Sequence, residues 1–195
     1  MSKVKVAVFA SGSGSNFQAM MEHGNLACEI VLLVCDQPHA SVIDKAAAFG
    51  VPTFVFETDH FSTRAEYEQE ITKQLKDAQV EWVFLAGYMR IIGSTLLQAF
   101  PAKIINIHPS LLPAFPGMDA IGQAFRAKVS TTGVTVHYID EGIDTGPIIA
   151  QEEVDIQAHD TQDSLQRRIQ KTEHRLYPQI MNQVIREQAT SNESS

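Results

Sequence analysis

Two side chains capable of chemistry stand close together at the end of one apolar run. Residues 104–107 predict a short buried strand, and Asn106 and His108 lie at its end. Because side chains alternate along a strand, an amide and an imidazole two residues apart point to the same side. Pro109 and Pro113 then stiffen the following turn and remove backbone donors. This arrangement suits reaction at a carbonyl carbon, where the amide holds a developing oxyanion and the imidazole carries a proton.

A loop of small residues follows the first predicted strand. The segment 11–16 has the sequence Ser-Gly-Ser-Gly-Ser-Asn and leads into a predicted helix. Small side chains let the backbone approach an anion, and a helix N-terminus offers free N–H groups, which favours a mononucleotide-type phosphate site. Gly12, Gly14 and Asp36 also fit a dinucleotide-binding pattern, but Phe17 occupies its third glycine position. A tight turn without a ligand is the third interpretation.

Strand-like and helix-like segments alternate along the first half of the chain. Apolar strands separated by helices predict a parallel sheet that is covered by helices on both faces. After His108 the pattern changes, and the alternation in 132–139 predicts a strand in a mixed or antiparallel region. The predicted strands are 4–10, 30–35, 52–56, 82–86, 103–107, 132–139 and 148–154. The predicted helices are 17–23, 42–49, 64–78, 120–127 and 161–186.

Length, charge and cysteine content restrict the class of protein. The 195 residues suffice for one domain at 1–187, followed by a polar tail at 188–195 that we expect to be frayed. A formal net charge of -8 disfavours nucleic acid and anionic membranes as partners and leaves small molecules. No apolar run approaches the ~20 residues that span a bilayer. Cys28 and Cys35 lie on or near one predicted strand, so we expect no disulfide and a reducing, cytoplasmic location.

Three segments in a fixed order carry a resemblance to one enzyme family. They are the 11–16 loop, the string Asn-Ile-His-Pro-Ser-Leu-Leu-Pro at 106–113, and the Gly-rich loop at 140–147. Over residues 4–185 the chain resembles the phosphoribosylglycinamide formyltransferases of the folate-dependent formyltransferase superfamily. The resemblance implies an α/β fold with a mostly parallel, twisted sheet of about seven strands and a Rossmann-like N-terminal half. It also implies transfer of the formyl group of 10-formyltetrahydrofolate to the amine of glycinamide ribonucleotide in de novo purine biosynthesis, without a metal.

The same resemblance implies roles for individual residues. His108 is the expected catalytic histidine, Asn106 is its amide partner, and Asp144 is the carboxylate that supports the charged imidazole. The expected ribonucleotide-binding residues are Gly14, Ser15 and Asn16 at the phosphate, and Gln170, Lys171, Thr172 and Glu173 on the last helix. The expected folate-binding residues are Arg64, Met89, Arg90, Ile91, Ile92, Asn106, Asp140, Glu141, Gly142, Ile143 and Asp144.

Other interpretations stay open at this point. Asn106 and Asp144 could each be turn residues, and His108 alone could be a core histidine bonded to a backbone carbonyl. A 10-formyltetrahydrofolate hydrolase would use the same three residues with water as the acceptor. A non-catalytic nucleotide-binding module is the alternative from a different class. No histidine has metal-ligand spacing to a second ligand, and the sequence does not specify an oligomeric state.

Overall fold

One seven-stranded sheet organises the chain, described here from a computed structural model for residues 2–194. Met1 and Ser195, the outermost residues of the predicted domain and tail, lie outside this range. The strands are β1 (Val4–Ala10), β2 (Cys28–Cys35), β3 (Thr53–Val55), β4 (Trp82–Leu85), β5 (Ile104–His108), β6 (Thr131–Tyr138) and β7 (Ile148–Asp155). The helices are α1 (Ser15–Glu22), α2 (Ser41–Ala48), α3 (Arg64–Asp77), α4 (Ser94–Ala99), α5 (Ala120–Ala127) and α6 (Gln162–Glu193), with a short 3-10 helix at Thr58–His60.

The order of the strands creates a crevice at one edge of the sheet. The spatial order is β3-β2-β1-β4-β5-β6-β7. Strands β1 to β5 are parallel, whereas β6 is antiparallel to β5 and β7 is antiparallel to β6. The chain runs outward from β1 to β3 and then returns past β1 to form β4. The loops after β1 and β4 therefore diverge from the same edge, where open α/β sheets bind ligands.

Layers of helices cover both faces of the sheet, as the apolar strands predicted. All five side chains of 6–10 in β1 have no exposed surface, because alternate residues point into two separate cores. One core contains Phe17 of α1 and Tyr177 of α6, and the other contains Ile71 of α3 and Leu96 of α4. The predicted α/β fold with a mostly parallel sheet is therefore confirmed.

Helix α6 is fixed across the sheet by a buried hydroxyl. Tyr177 donates hydrogen bonds to the carbonyls of Leu85 in β4 (2.8 Å) and Ile105 in β5 (3.1 Å). These acceptors lie on the strands that lead into the loops of the crevice. The hydroxyl therefore fixes the position of α6 relative to β4 and β5, and with it the position of the α6 side chains that face the crevice.

The structure differs from the prediction at two places. Helix α4 was not predicted, and α6 continues to Glu193 instead of ending at 186. The prediction of a frayed segment from 188 is therefore wrong up to Glu193. Gln188 accepts a hydrogen bond from the Trp82 indole, and the hydroxyls of Thr190 and Ser191 donate to the Glu187 carbonyl, so this segment is held in the helix. Among the described helices none is long and apolar enough to cross a bilayer.

Candidate active site

A cavity of about 570 Å³ occupies the crevice at the carboxyl edge of β1, β4 and β5. This volume is typical of sites for small molecules and cofactors. Its walls come from the loops that follow these three strands, the loop before β7, the start of α5 and one face of α6. Of the predicted site residues, the cavity is lined by Gly14, Ser15, Asn16, Met89, Arg90, Ile91, Ile92, Asn106, His108, Asp140, Gly142, Ile143, Asp144, Gln170 and Glu173.

The β5 strand carries the amide and the imidazole into this cavity together. Asn106 and His108 share one face of the strand, as their spacing predicted, and both line the cavity. His108 is 6% exposed, and its Nε2 donates to the Phe115 carbonyl at 2.9 Å, so this nitrogen carries a hydrogen. Its Nδ1 lies 3.6 Å from Asp144 Oδ2. The histidine therefore has the backbone-carbonyl bond expected of a core histidine. It also has a nearby carboxylate and faces the cavity, as a catalytic histidine must.

The carboxylate of Asp144 contacts the loop after β5 and lies near the imidazoles of His108 and His137. Its Oδ2 accepts a hydrogen bond from the Gly117 amide at 2.7 Å, and its Oδ1 lies 3.8 Å from His137 Nε2. The backbone at Asp144 is left-handed, with a φ of 55°, which aspartate tolerates better than most residues. This conformation places the carboxylate between the loop after β5 and both rings. The three predicted catalytic residues thus meet in one place although Asn106 and Asp144 lie 38 positions apart in the sequence.

His137, to which the sequence assigned no role, is fully buried behind Asn106 and Asp144 and contacts both side chains. Antiparallel pairing of β5 with β6 places it directly opposite Asn106. Its Nδ1 donates to the Tyr138 carbonyl at 2.9 Å, which leaves Nε2 to accept from Asn106 Nδ2 at 3.5 Å. Burial lowers the pKa of His137 below its ordinary 6.5, outweighing the Tyr138 carbonyl and Asp144, which raise the pKa. A neutral His137 therefore turns the amide N–H₂ of Asn106 toward itself and leaves the second amide hydrogen for the cavity.

The loop after β1 forms the anion-binding type of helix start. Gly14 precedes α1 with a φ of 72°, no side chain caps the helix, and its first turn has no acidic residue. The amides of Ser15 and Asn16 therefore face the cavity at the positive end of the helix dipole. Phe17, which occupies the third glycine position of the dinucleotide pattern, is fully buried and packs in the core.

Helix α6 forms the opposite wall of the same compartment. Gln170 and Glu173 line the cavity, and Glu173 Oε2 accepts a hydrogen bond from Asn16 Nδ2 at 3.3 Å. Lys171 is exposed away from the cavity, and the hydroxyl of Thr172 donates to the Arg168 carbonyl within the helix. The structure therefore places only two of the four predicted α6 residues at the cavity.

Glu173 is a buried carboxylate, and we expect it to give folding a pH dependence. Burial raises the pKa of Glu173 from 4.5 to about 7, although the hydrogen bond from Asn16 opposes this rise. Between these values the folded chain keeps a proton that the unfolded chain has released, so the free energy of unfolding falls as pH increases through this window. Glutamine is neutral throughout, so Glu173→Gln should lose this slope and be more stable than the parent protein at pH 8.

Urea unfolding at pH 5, 6, 7 and 8 measures this effect. Glu187→Gln, at an exposed position of the same helix, is the matched control and should keep the slope of the parent protein. Identical pH slopes for Glu173→Gln and the parent protein would contradict the prediction.

The far side of the cavity is apolar and open. Six large apolar side chains are exposed among the described residues, and four of them line the cavity: Met89, Ile91, Met118 and Ile143. Exposed apolar side chains gathered at one place mark a binding surface. The cavity thus has the start of α1 at one end, the Asn106, His108 and Asp144 side chains between, and apolar side chains at the other end.

Comparison with known proteins identifies the family of this site. The model of the formyl transferase family matches residues 4–181, which is most of the chain. The chain belongs to the formyl transferase family. It is 55% identical over 184 residues to a phosphoribosylglycinamide formyltransferase of Bacillus subtilis, covering 93% of this chain and 94% of that protein. It is 37% identical to a human trifunctional purine biosynthetic protein, adenosine-3, covering 93% of this chain but 18% of that protein.

Solved structures of formyl transferases have the same fold. The structure of glycinamide ribonucleotide transformylase 1 from Geobacillus kaustophilus superposes with a TM-score of 0.91 at 54% identity, covering 94% of this chain and 99% of that chain. A phosphoribosylglycinamide formyltransferase from Bacillus halodurans superposes with a TM-score of 0.90 at 49% identity, covering 93% of this chain and 95% of that chain. The resemblance noted from the sequence is therefore confirmed.

Four residues predicted for the site of this formyl transferase do not line its cavity: Arg64, Glu141, Lys171 and Thr172. Arg64 begins α3 and packs near Gly93, next to the wall formed by 89–92. Glu141 is exposed at the tip of its loop. Within residues 2–194 no group of three or more His, Cys, Asp or Glu side chains comes together as a metal site.

Proposed function

We propose that the protein transfers the formyl group of 10-formyltetrahydrofolate to the amine of glycinamide ribonucleotide, giving formylglycinamide ribonucleotide and tetrahydrofolate in purine biosynthesis. The observation that carries this proposal is the meeting of Asn106, His108 and Asp144 between an anion-binding helix start and an apolar rim. Two relatives that align with this chain over nearly their whole length are named phosphoribosylglycinamide formyltransferase and glycinamide ribonucleotide transformylase, which supports the same reaction.

The ribonucleotide fits the end of the cavity between α1 and α6. Its phosphate would accept hydrogen bonds from the amides of 14–16 at the start of α1. Glu173 lies across the compartment from these amides, where its carboxylate can accept hydrogen bonds from the ribose hydroxyls, and Gln170 extends this wall. The sugar would then direct the glycinamide amine along the ends of the strands toward His108.

The formyl-folate fits the apolar end. Its flat ring system would pack among Met89, Ile91 and Ile143, while its polar edge meets the backbone of the two loops at 89–92 and 140–144. In the second loop Asp140 Oδ1 accepts from the Thr145 hydroxyl (2.7 Å) and the Gly142 amide (2.9 Å), so this carboxylate shapes the loop. These two hydrogen bonds lower the pKa of Asp140, and the bond from Thr145 has the larger effect. Arg64, outside the cavity wall, would meet the acidic tail of the folate where that tail leaves the cavity.

The reaction begins when the neutral amine attacks the formyl carbon. The carbonyl oxygen becomes an oxyanion. It accepts one hydrogen bond from the free amide N–H of Asn106 and another from charged His108. The carboxylate of Asp144 stabilises the positive imidazole and keeps its orientation. A proton then moves from the new ammonium to the folate nitrogen, the carbon–nitrogen bond to folate breaks, and the carbonyl re-forms. Alignment of two bound substrates supplies much of the acceleration.

One contact must change for this step to occur. His108 Nε2 donates to the Phe115 carbonyl at 2.9 Å, and Ser110 donates to the same oxygen at 3.3 Å. The oxyanion needs a donor on the imidazole, so the substrate oxygen replaces the Phe115 carbonyl as the acceptor from Nε2. Ser110, which also donates to the Ala114 carbonyl at 2.6 Å, holds the turn while this exchange takes place.

A single assay separates this proposal from its alternatives. Formyl-folate is supplied with and without glycinamide ribonucleotide, and release of tetrahydrofolate is followed. We expect release that depends on the ribonucleotide, because the compartment between α1 and α6 is built for a phosphorylated acceptor. Release that is equal without the amine would indicate the hydrolase, and no release would indicate a non-catalytic nucleotide-binding module.

The proposal includes small-molecule substrates as the partners and a cytoplasmic location. Two described cysteines, Cys28 and Cys35, are free and buried at opposite ends of β2, which fits a reducing compartment. Burial raises the pKa of the Cys28 thiol to about 11. These cysteines are therefore core side chains with little thiolate character at neutral pH.

A further inference from the structure

The loop at 86–93, between β4 and α4, is anchored by two carboxylates that do not line the cavity. This loop carries Met89, Arg90, Ile91 and Ile92, which form one wall of the cavity. Asp36 and Glu68 contact it from behind, and they are 3% and 1% exposed. Buried carboxylates are costly unless hydrogen bonds satisfy them, so their contacts show what they hold in place.

Asp36 holds the first half of the loop. Its Oδ2 accepts from Arg90 Nε at 2.8 Å, and its Oδ1 accepts from the Ser11 hydroxyl at 2.5 Å. The same hydroxyl accepts from the Met89 amide at 2.9 Å, and the Ser11 amide donates to the Gly87 carbonyl at 3.1 Å. Both oxygens are therefore engaged within the protein. Asp36, which fits the dinucleotide-binding pattern in the sequence, instead links the carboxyl ends of β1, β2 and β4 through hydrogen bonds.

Glu68 holds the second half of the loop. Its Oε2 accepts from the Gly93 amide at 2.7 Å and its Oε1 from the Leu96 amide at 3.3 Å, so it supplies the acceptors that the start of α4 needs. A Cβ at Gly93 would lie 2.9 Å from Glu68 Oε1 and 2.8 Å from Arg64 Cδ. The carboxylate thus lies directly against the backbone where the loop enters α4. Burial raises the pKa of Glu68, and the two amide donors oppose this rise.

We propose that Asp36 and Glu68 are positioning residues that hold the loop at 86–93 in the shape that binds formyl-folate. This inference rests on the proposed function, which assigns the wall at 89–92 to the folate. Both ends of the loop are fixed by charge-assisted hydrogen bonds to backbone or guanidinium donors. Loss of either carboxylate releases one end, so the backbone groups and apolar side chains of the wall move relative to the ring system. The hydrogen bonds of Glu68 go to Gly93 and Leu96, outside the 11–16 loop, whereas Asp36 also bonds Ser11 at the start of that loop.

The test compares Glu68→Gln and Asp36→Asn with the parent protein. Glu68→Gln should raise the KM for formyl-folate about tenfold, the scale expected when a positioning contact is lost, while kcat and the KM for the ribonucleotide change less than about twofold. Asp36→Asn should raise the KM for formyl-folate to a similar extent and by more than it raises the KM for the ribonucleotide. Isothermal titration calorimetry with 5-formyltetrahydrofolate should show a matching loss of affinity. Asp160→Asn is the matched control, because it removes an Asp–Arg pair (2.7 Å to Arg168) that lies outside the folate wall.

The outcomes are separable. Wild-type folate affinity in both Asp36→Asn and Glu68→Gln would overturn the inference, and so would an equal rise in both KM values in Glu68→Gln. If Asp36→Asn fails to fold, Glu68→Gln decides the matter with the same measurements. If the parent protein releases no tetrahydrofolate with the ribonucleotide, the proposed function fails, yet the calorimetric comparison still tests whether the two carboxylates set folate affinity.

Discussion

Replacing His108 with alanine should lower kcat by about 10²- to 10⁴-fold, the range that a positioned acid–base group contributes. In the proposed mechanism the ring supplies a hydrogen-bond donor for the oxyanion, and Arg90, the other cationic side chain among the described lining residues, donates its Nε to Asp36. In the proposed binding mode both substrates are held mainly by groups distant from this ring, so their KM values should change little. Asp144→Ala should also lower kcat strongly, because the carboxylate lies 3.6 Å from His108 Nδ1.

Steady-state rates with each substrate varied in turn measure these effects. His23→Ala is the matched control, because His23 is exposed at the end of α1 and faces no ligand wall. Its kcat should equal that of the parent protein. Turnover within tenfold of the parent in His108→Ala would remove the catalytic assignment, whatever happened to the KM values.

Most of the framework could be predicted because its strands are buried on both faces. Such strands appear in the sequence as uninterrupted apolar runs, and β1 and β4 were located in this way. The change in direction at β6 was also visible, since Val134 and Val136 alternate with Thr135 and His137. Those side chains do point into different surroundings, which is what a half-polar antiparallel strand requires.

The catalytic centre was predictable only in part. Asn106 and His108 are neighbours in the sequence, but the partner of each depends on tertiary structure. The register of β5 against β6 brings His137 opposite Asn106, and the loop after β5 brings the Phe115 carbonyl to His108. Neither the register nor the loop conformation leaves a pattern in a single sequence.

Helical periodicity could have corrected one group of site residues. Positions 170 and 173 are three apart on α6 and share a face, whereas 171 and 172 are rotated away by about 100° and 200°. The structure follows this geometry, with Gln170 and Glu173 in the cavity and the two intervening residues outside. Helix α4 is a different case, because its start is capped by Glu68 from another helix, and a cap supplied from a distance has no local signal.

Substituting Gly14 by alanine should raise the KM for the ribonucleotide by about 10- to 100-fold while the KM for formyl-folate stays near that of the parent protein. Gly14 has a φ of 72°, which costs an L-residue roughly 1–2 kcal/mol. A Cβ there would also lie 2.4 Å from Val42 Cγ2 and 2.7 Å from Val42 Cβ. Helix α1 must then move away from α2, and its first amides move away from the phosphate.

Gly50→Ala separates the steric clash from backbone strain in this experiment. Gly50 has the same φ of 72°, but an added Cβ there meets nothing within 4 Å. Both variants should lose stability in urea unfolding because of strain, and Gly14→Ala should lose more because of its clash with Val42. Only Gly14→Ala should lose ribonucleotide affinity, because only there does the clash displace the amides of α1. If Gly14→Ala raised the KM for formyl-folate instead, the phosphate would bind elsewhere and the two substrates would have to exchange ends of the cavity. A selective effect on the ribonucleotide would fix the orientation of both substrates, since the amine can reach the formyl carbon beside His108 only from the α1 side when the phosphate is held there.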